Sequence, residues 1–392
     1  MADTPNHDAN VQAAHAALLA GNARAARDLY LQALEGGRAD APVLLGVAHA
    51  SRSLGDETGM LAAVDRLLAG EPRNLRALLL KGDHFAAKGD TRSASAFYQR
   101  AVRTAPPAAE LPADLVQELR RANEICAQYA ARYKEWLRSR LAAAGYDPAR
   151  SSARFSRSVD IALGEKQIYL QQPRFFYFPE LPQIQFYARE RFPWLDEVEA
   201  ATDAIRAELI DVLRDDSAFK PYVTGSANRP RKDELSLLND PAWSAFFLWK
   251  NGEVVPENAA RCPATMRALR NAPLAAVPKR SPSVLFSLLR PGTHIPPHHG
   301  FVNTRLICHL PLIVPEGCTF RVGNDVRDWR KGAAWAFDDT IEHEAWNRSA
   351  ETRVILLFDI WRPEITDEER SLIVNLFESI DAYGGTQPQW EI

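Results

Sequence analysis

Apolar positions along this chain change their period once, from helical spacing to strand alternation. In the first part they also repeat: Gly21, Gly55 and Gly89 stand 34 residues apart, as do Pro72 and Pro106. Around the first and third glycines the offsets agree further, with Ala26 and Ala94, Tyr30 and Tyr98, and Ala33 and Ala101 at matching places. The middle copy keeps apolar character there through Met60, Val64 and Leu67. The pattern predicts pairs of helices. Each glycine turns one helix into the next, the alanines let them approach, and the proline closes the copy because it cannot continue a helix. After a Pro/Ala segment, Ala105–Pro112, one long helix is predicted over Ala113–Ala144, with Leu115, Leu119, Ile125, Tyr129, Trp136 and Leu141 at roughly helical spacing. Another is predicted over Leu195–Leu213. Alternation then predicts strands at Ser283–Leu289, Asn303–Ile313, Thr319–Val322, Ala333–Phe337 and Arg353–Trp361, separated by turns rich in Gly, Pro and Asn. Short antiparallel strands at this spacing suit a sandwich or a jelly roll.

The helical part resembles the tetratricopeptide repeat, whose period is also 34 residues. Three copies over about residues 8–106 are near the minimum for a stable solenoid. The long helix is placed to cap it and connect it onward. From about residue 150 the texture changes and proline and aromatics rise, as in Gln172–Pro182. The expected organisation is a solenoid over 1–106, a linker and capping helix over 107–150 and a second domain over 151–392, making a multidomain α plus β chain.

With 392 residues, 46% of them hydrophobic, the chain can build more than one packed core. Its formal net charge of −3 gives no bulk attraction to nucleic acid or anionic lipid. The first residues lack a basic start followed by an apolar run, and no stretch is long and apolar enough to span a bilayer. A cytoplasmic protein without a membrane segment is therefore expected. Cys126, Cys262, Cys308 and Cys318 form no C-x-x-C pair and are expected as reduced thiols.

The candidate chemistry lies between Ser287 and Arg353. Pro297-His298-His299-Gly300 and Phe337-Asp-Asp-Thr-Ile-Glu-His343 are followed by Arg353. Two separated histidines and a downstream arginine suit an Fe(II) centre that keeps open positions and anchors an anionic cosubstrate. A carboxylate would usually stand two residues after the first histidine, but Gly300 stands there. If the segment is extended, His298 and His299 diverge and cannot both face one metal.

Ser287-Leu-Leu-Arg-Pro-Gly-Thr-His-Ile-Pro-Pro-His-His-Gly300, continuing to Arg305 and His309, resembles the aspartyl/asparaginyl β-hydroxylases; so do Phe337–Trp346, Arg353 and Asp359-Ile-Trp-Arg-Pro-Glu364. That family also has glycine in place of the triad carboxylate. The resemblance implies a double-stranded β-helix (jelly-roll, cupin-like) catalytic domain with flanking helices. It implies an Fe(II)- and 2-oxoglutarate-dependent dioxygenase that hydroxylates the β carbon of an Asp/Asn-type residue in a peptide, protein or amino-acid-like substrate, releasing succinate and CO2. His298 and His343 match the iron ligands, Arg353 with Ser287 matches the pair that holds the distal carboxylate of 2-oxoglutarate, and His309 matches a residue near its other carboxylate. Two residues before that histidine the family often has arginine where this chain has Ile307. Arg305, on the same predicted strand face as His309, is the candidate for the missing cation. Of Asp338 and Asp339, one is a candidate to orient an iron ligand and either could be an exposed turn residue.

His294 is expected to stabilise its loop, Trp329, Trp335, Trp346 and Trp361 to pack or to line a pocket, and Arg229–Lys232 to form a solvated loop or touch an anionic substrate. The solenoid would recruit a protein partner or substrate on its concave face, or serve dimerisation. Two alternatives stand beside hydroxylation: a halogenase using the space beside Gly300, and a non-enzymatic repeat scaffold with a degenerate β domain.

Overall fold

A computed structural model describes residues 7–224 and 237–384 and divides the chain into two compact units, Met1–Ser156 and Arg157–Ile392. In the first, α1 (His7–Leu19), α3 (Ala41–Ser53) and α5 (Leu75–Ala87) start 34 residues apart, and so do α2 (Ala23–Glu35), α4 (Glu57–Gly70) and α6 (Thr91–Thr104). Each of α2 to α6 starts the same way. The side chains of Asn22, Asp40, Asp56, Asn74 and Asp90 each accept a hydrogen bond from the backbone N–H three residues on, satisfying a donor the helix cannot use. Gly21, Gly55 and Gly89 take φ between +73° and +79°, with open space where a Cβ would be, so the turn needs backbone freedom and not a tight fit.

Close approach decides Gly82 instead. A Cβ there would lie 2.5 Å from the ring of Tyr98, which is buried and donates its hydroxyl to Asp83 at 2.7 Å, with Arg121 on the same carboxylate. Gly82→Ala is therefore expected to melt the repeat unit at lower temperature, by far-UV circular dichroism. Overpacking costs about 1–3 kcal/mol and exceeds the gain of about 0.5–1 kcal/mol in helix propensity. An unchanged or higher midpoint would show that the ring gives way. The long helix α7 (Ala113–Ala143) covers the last repeat through Leu115, Ala122 and Cys126, while Tyr133 and Trp136 further along stand exposed.

After α8 (Ala153–Ala162), the second unit holds α9 (Leu195–Ala200) and α10 (Thr202–Val212) in place of the single helix predicted there. The Thr202 hydroxyl donates to the Glu199 carbonyl at 2.6 Å at the junction, a local bond that competes with helix continuation. Eleven strands follow among the described residues: β1 (Lys220–Pro221), β2 (Trp243–Lys250), β3 (Glu253–Val254), β4 (Val284–Leu289), β5 (His294–His298), β6 (Arg305–Ile313), β7 (Cys318–Val322), β8 (Asp325–Asp328), β9 (Trp335–Phe337), β10 (His343–Asn347) and β11 (Arg353–Trp361). Helices α11 (Pro256–Arg261) and α12 (Pro263–Ala268) interrupt them and α13 (Asp367–Gly384) closes the described chain.

The strands form two antiparallel sheets, one ordered β1-β2-β4-β11-β6-β9 with β3 on β2, the other β5-β10-β7-β8. Alternation divides β6 between two environments. Leu306, Cys308, Leu310 and Leu312 pack with Ile205, Leu209 and Val212 of α10, while Arg305, Ile307 and His309 turn to a cavity. The four cysteines are free and buried. No helix among the described residues is long and apolar enough to cross a membrane.

Candidate active site

Two adjacent strands of the smaller sheet bring the histidines together. His298 ends the edge strand β5 and pairs in register with His343, which opens β10, so their ring centroids are 4.0 Å apart. Prolines 296 and 297 are tolerated because β5 is an edge. His298 Nδ1 donates to the Pro296 carbonyl at 2.8 Å and His343 Nδ1 to the Ile341 carbonyl at 3.1 Å. A carbonyl can only accept, so each proton sits on Nδ1 and each Nε2 keeps its lone pair. Burial pushes the His298 pKa down to about 4 and that of His343 well below the usual range, so both are neutral at pH 7, the state a metal requires.

The larger sheet supplies the facing wall. Arg353 opens β11 with 1% exposure, opposite Leu289 of β4. Its guanidinium donates to the Ser287 carbonyl at 3.2 Å and to the Ser287 hydroxyl at 3.5 Å and lies over the Trp329 ring at 4.8 Å, yet its Nε has no partner. No acidic side chain among the described residues pairs with it, and burial pushes its pKa down to about 10. His309, nearby on β6, is neutral through burial and has an unpartnered Nδ1. The Trp243 indole N–H donates to the Ser287 hydroxyl at 3.3 Å, and its ring stacks on Tyr222 at 4.4 Å. The sequence reading missed Trp243 because β2 is a nearly unbroken apolar run without alternation. All these groups line one cavity of about 400 Å³.

The place beside Gly300 is filled. A Cβ on Gly300 would come within 2.1 Å of the Asp339 carboxylate, so the acid stands where a side chain at 300 would start. Asp339 is 5% exposed, lines the cavity and has an unpartnered Oδ1; burial pushes its pKa up to about 7. Asp338 points elsewhere, accepting from Arg362 at 2.7 Å, Gln171 at 2.7 Å and Thr340 at 2.6 Å in a fully buried network. The two aspartates that the sequence left equivalent thus part, and neither is an exposed turn residue.

Arg305 shares the cavity and the strand face of His309, but its guanidinium lies 2.5 Å from Asp359 and 3.5 Å from Asp339. With its charge matched twice, it is not free to replace the cation absent at Ile307, the role expected for it. His294 is tied to Glu344 at 2.9 Å and stacked on Trp346. Trp335 and Trp361 belong to apolar cores, and Trp329 lies over Arg353. The Arg229–Lys232 cluster lies outside the described residues. No group of three or more His, Cys, Asp or Glu able to hold a metal exists among the described residues.

Part of this chain is similar to known proteins. Residues 199–363 match the family described as aspartyl/asparaginyl beta-hydroxylase. The chain is 38% identical over 189 residues to the ornithine lipid ester-linked acyl 2-hydroxylase of Rhizobium tropici, covering 47% of this chain and 63% of that one. It is 38% identical over 143 residues to the human aspartyl/asparaginyl beta-hydroxylase, covering 36% and 18% respectively. With the human aspartate beta-hydroxylase domain-containing protein 2 it shares 29% identity over 211 residues, 53% of this chain and 55% of that protein. The chain spans less than two thirds of the length of each of these relatives. Over residues 199–363, this chain is thus similar to the aspartyl/asparaginyl β-hydroxylases.

Proposed function

We propose that this chain is an Fe(II)- and 2-oxoglutarate-dependent dioxygenase that hydroxylates an unactivated C–H bond. The observation that carries the reading is Arg353, a buried cation with no acid partner among the described residues, in one cavity with the paired histidines 298 and 343, whose Nε2 atoms keep their lone pairs. A buried charge without a partner costs several kcal/mol, and a dicarboxylate cosubstrate would compensate it. The donor set fits the group. His298 and His343 would hold iron through Nε2, the backbone carbonyls of Pro296 and Ile341 fixing their tautomers. Arg353, with the Ser287 hydroxyl, would grip the distal carboxylate. Bound iron and cosubstrate would supply the oxidising power; the chain's part is to bind, orient and exclude water.

Within this reading, β4 to β11 are the double-stranded β-helix, four strands in each sheet, with α9 to α13 flanking it. The repeats would present a protein partner or substrate to the catalytic unit. The names of the relatives give two substrate chemistries, an aspartyl or asparaginyl side chain and a lipid acyl chain. Halogenation is disfavoured because Asp339 fills the space beside Gly300 that a chloride would take. A degenerate scaffold would gain nothing from keeping Arg353 uncompensated.

The test is succinate. Purified protein given Fe(II), 2-oxoglutarate and oxygen is expected to form succinate slowly even without substrate, and chelation should stop it. Absence of iron-dependent succinate together with absence of 2-oxoglutarate binding by calorimetry would refute the reading.

A further inference from the structure

The 34-residue period lets one helix junction of the repeat unit be compared with the next. Where α5 meets α6, the rings of Phe85 and Phe97 stack with centroids 5.5 Å apart and an interplanar angle of 8°, and Lys81 lies over the Phe97 ring at 4.9 Å. One period earlier, where α3 meets α4, Ser51 and Ala63 stand in place of the two rings. Other side chains do not close the space. A cavity of about 260 Å³ remains between α2, α3 and α4, with buried Leu44, Val47, Ser51 and Ala63 in its wall and Leu31, 37% exposed, at its lip. An apolar wall with no partner atoms in front of it forfeits contacts that the neighbouring junction makes.

The polar groups of this cavity are incompletely matched. Ser51 is 1% exposed, yet its hydroxyl has no hydrogen-bond partner. Arg27 reaches Asp56 at 3.3 Å through a terminal nitrogen and leaves its buried Nε without one. Buried polar groups are normally bonded, so both are unusual. Arg66, exposed on α4, also lines the cavity and makes no ion pair among the described residues. Of the charged groups that line it, two are thus cations and one, Asp56, is an acid.

We propose that this cavity is a docking site for a peptide segment of a partner protein, which inserts a phenylalanine ring beside Ser51 and Ala63 and sets an acidic residue against Arg66. The ring supplies from outside the packing that Phe85 and Phe97 supply from within one period later. The carboxylate answers the excess of arginine over aspartate in the lining. The inference deepens the reading that the repeats receive a protein partner and rests on that part of it alone; the oxidative chemistry of the second unit does not enter.

Three capped peptides separate the cases: acetyl-Asp-Phe-Asp-amide, acetyl-Asp-Ala-Asp-amide and acetyl-Lys-Phe-Lys-amide. Each is titrated into the full chain while the methyl resonances of Leu44 and Val47 are followed by NMR. The expected result is that the first peptide shifts both resonances at a concentration at least about tenfold below either of the others, the scale of one buried ring or one reversed charge pair. Combining Ser51→Phe with Ala63→Phe copies the filled junction, and is expected to raise the melting midpoint of the repeat unit and to weaken the first peptide by at least about tenfold. Arg66→Glu, at an exposed position, is expected to abolish or invert the preference for the acidic peptide over the basic one. Equal responses to the phenylalanine and alanine peptides, no response at Leu44 and Val47, or undiminished binding by the filled variant overturns the proposal. If the filled variant does not fold, the peptide comparison and Arg66→Glu decide. A missing response in protein that still forms iron-dependent succinate sinks the docking site alone, and a response in protein that forms none leaves it standing.

Discussion

His343→Ala protein is expected to form no succinate above the iron-free blank. The ring at 343 is one of two imidazoles paired across β5 and β10, and no group of three or more His, Cys, Asp or Glu able to hold a metal exists among the described residues to take over. Loss of a group that only orients a ligand typically costs about 10–100-fold in metal affinity or activity. Loss of one of two ligands should therefore exceed a hundredfold, and His298→Ala should do the same. The cavity of these variants stays lined by Arg353 and Ser287, so calorimetry should still detect 2-oxoglutarate, weakened by the missing metal contacts. Succinate formation within tenfold of wild type by either variant would mean that the iron sits elsewhere.

Arg353→Met is expected to raise the KM for 2-oxoglutarate by about a hundredfold, about 3 kcal/mol, the upper range for a charge-assisted hydrogen bond. Arg353→Lys should fall between, since an ammonium keeps the charge but not the two-pronged grip. The same Arg353→Met change should stabilise the protein when iron and cosubstrate are absent. Burial already weakens the hold of this guanidinium on its proton, and nothing acidic offsets it. A methionine would remove that cost while roughly filling the volume, so the melting midpoint should rise by a few degrees. A lower midpoint with an unchanged KM would make Arg353 a packing residue. Opposite signs for affinity and stability would mark a group kept for binding at the expense of the fold.

The helical half was legible because its signals are local. A glycine turn and a 34-residue period each lie within one or two elements, and the structure repeats them in register. Much of the larger sheet was legible for the same reason, since β4, β6 and β11 are long and strongly apolar. The strands that carry the histidines were not delimited. The prolines of β5 and the polar residues of β10, His343-Glu-Ala-Trp-Asn347, carry almost no period-two signal; β5 is a strand through its pairing with β10, and β10 through its pairing with β5 and β7. Partnership across the sheets was equally hidden. Sequence could place Arg305 on the face of His309 but not reveal Asp359 and Asp339 beside its guanidinium. Nor could it assign Asp338 to a buried network and Asp339 to the cavity, because the two are neighbours in the chain and separate only by the direction of their side chains.

The crowding of Gly300 by Asp339 also constrains how this protein could have come about. A Cβ at 300 and a carboxylate at 339 in its present place exclude one another, so a side chain at 300 requires that carboxylate to turn away or be lost. A lineage that began with an acidic side chain at 300 had to lose it before the present arrangement could form. Reversal is coupled in the same way: restoring an acid at 300 requires the carboxylate at 339 first to move or be replaced, so what position 300 tolerates depends on the residue at 339.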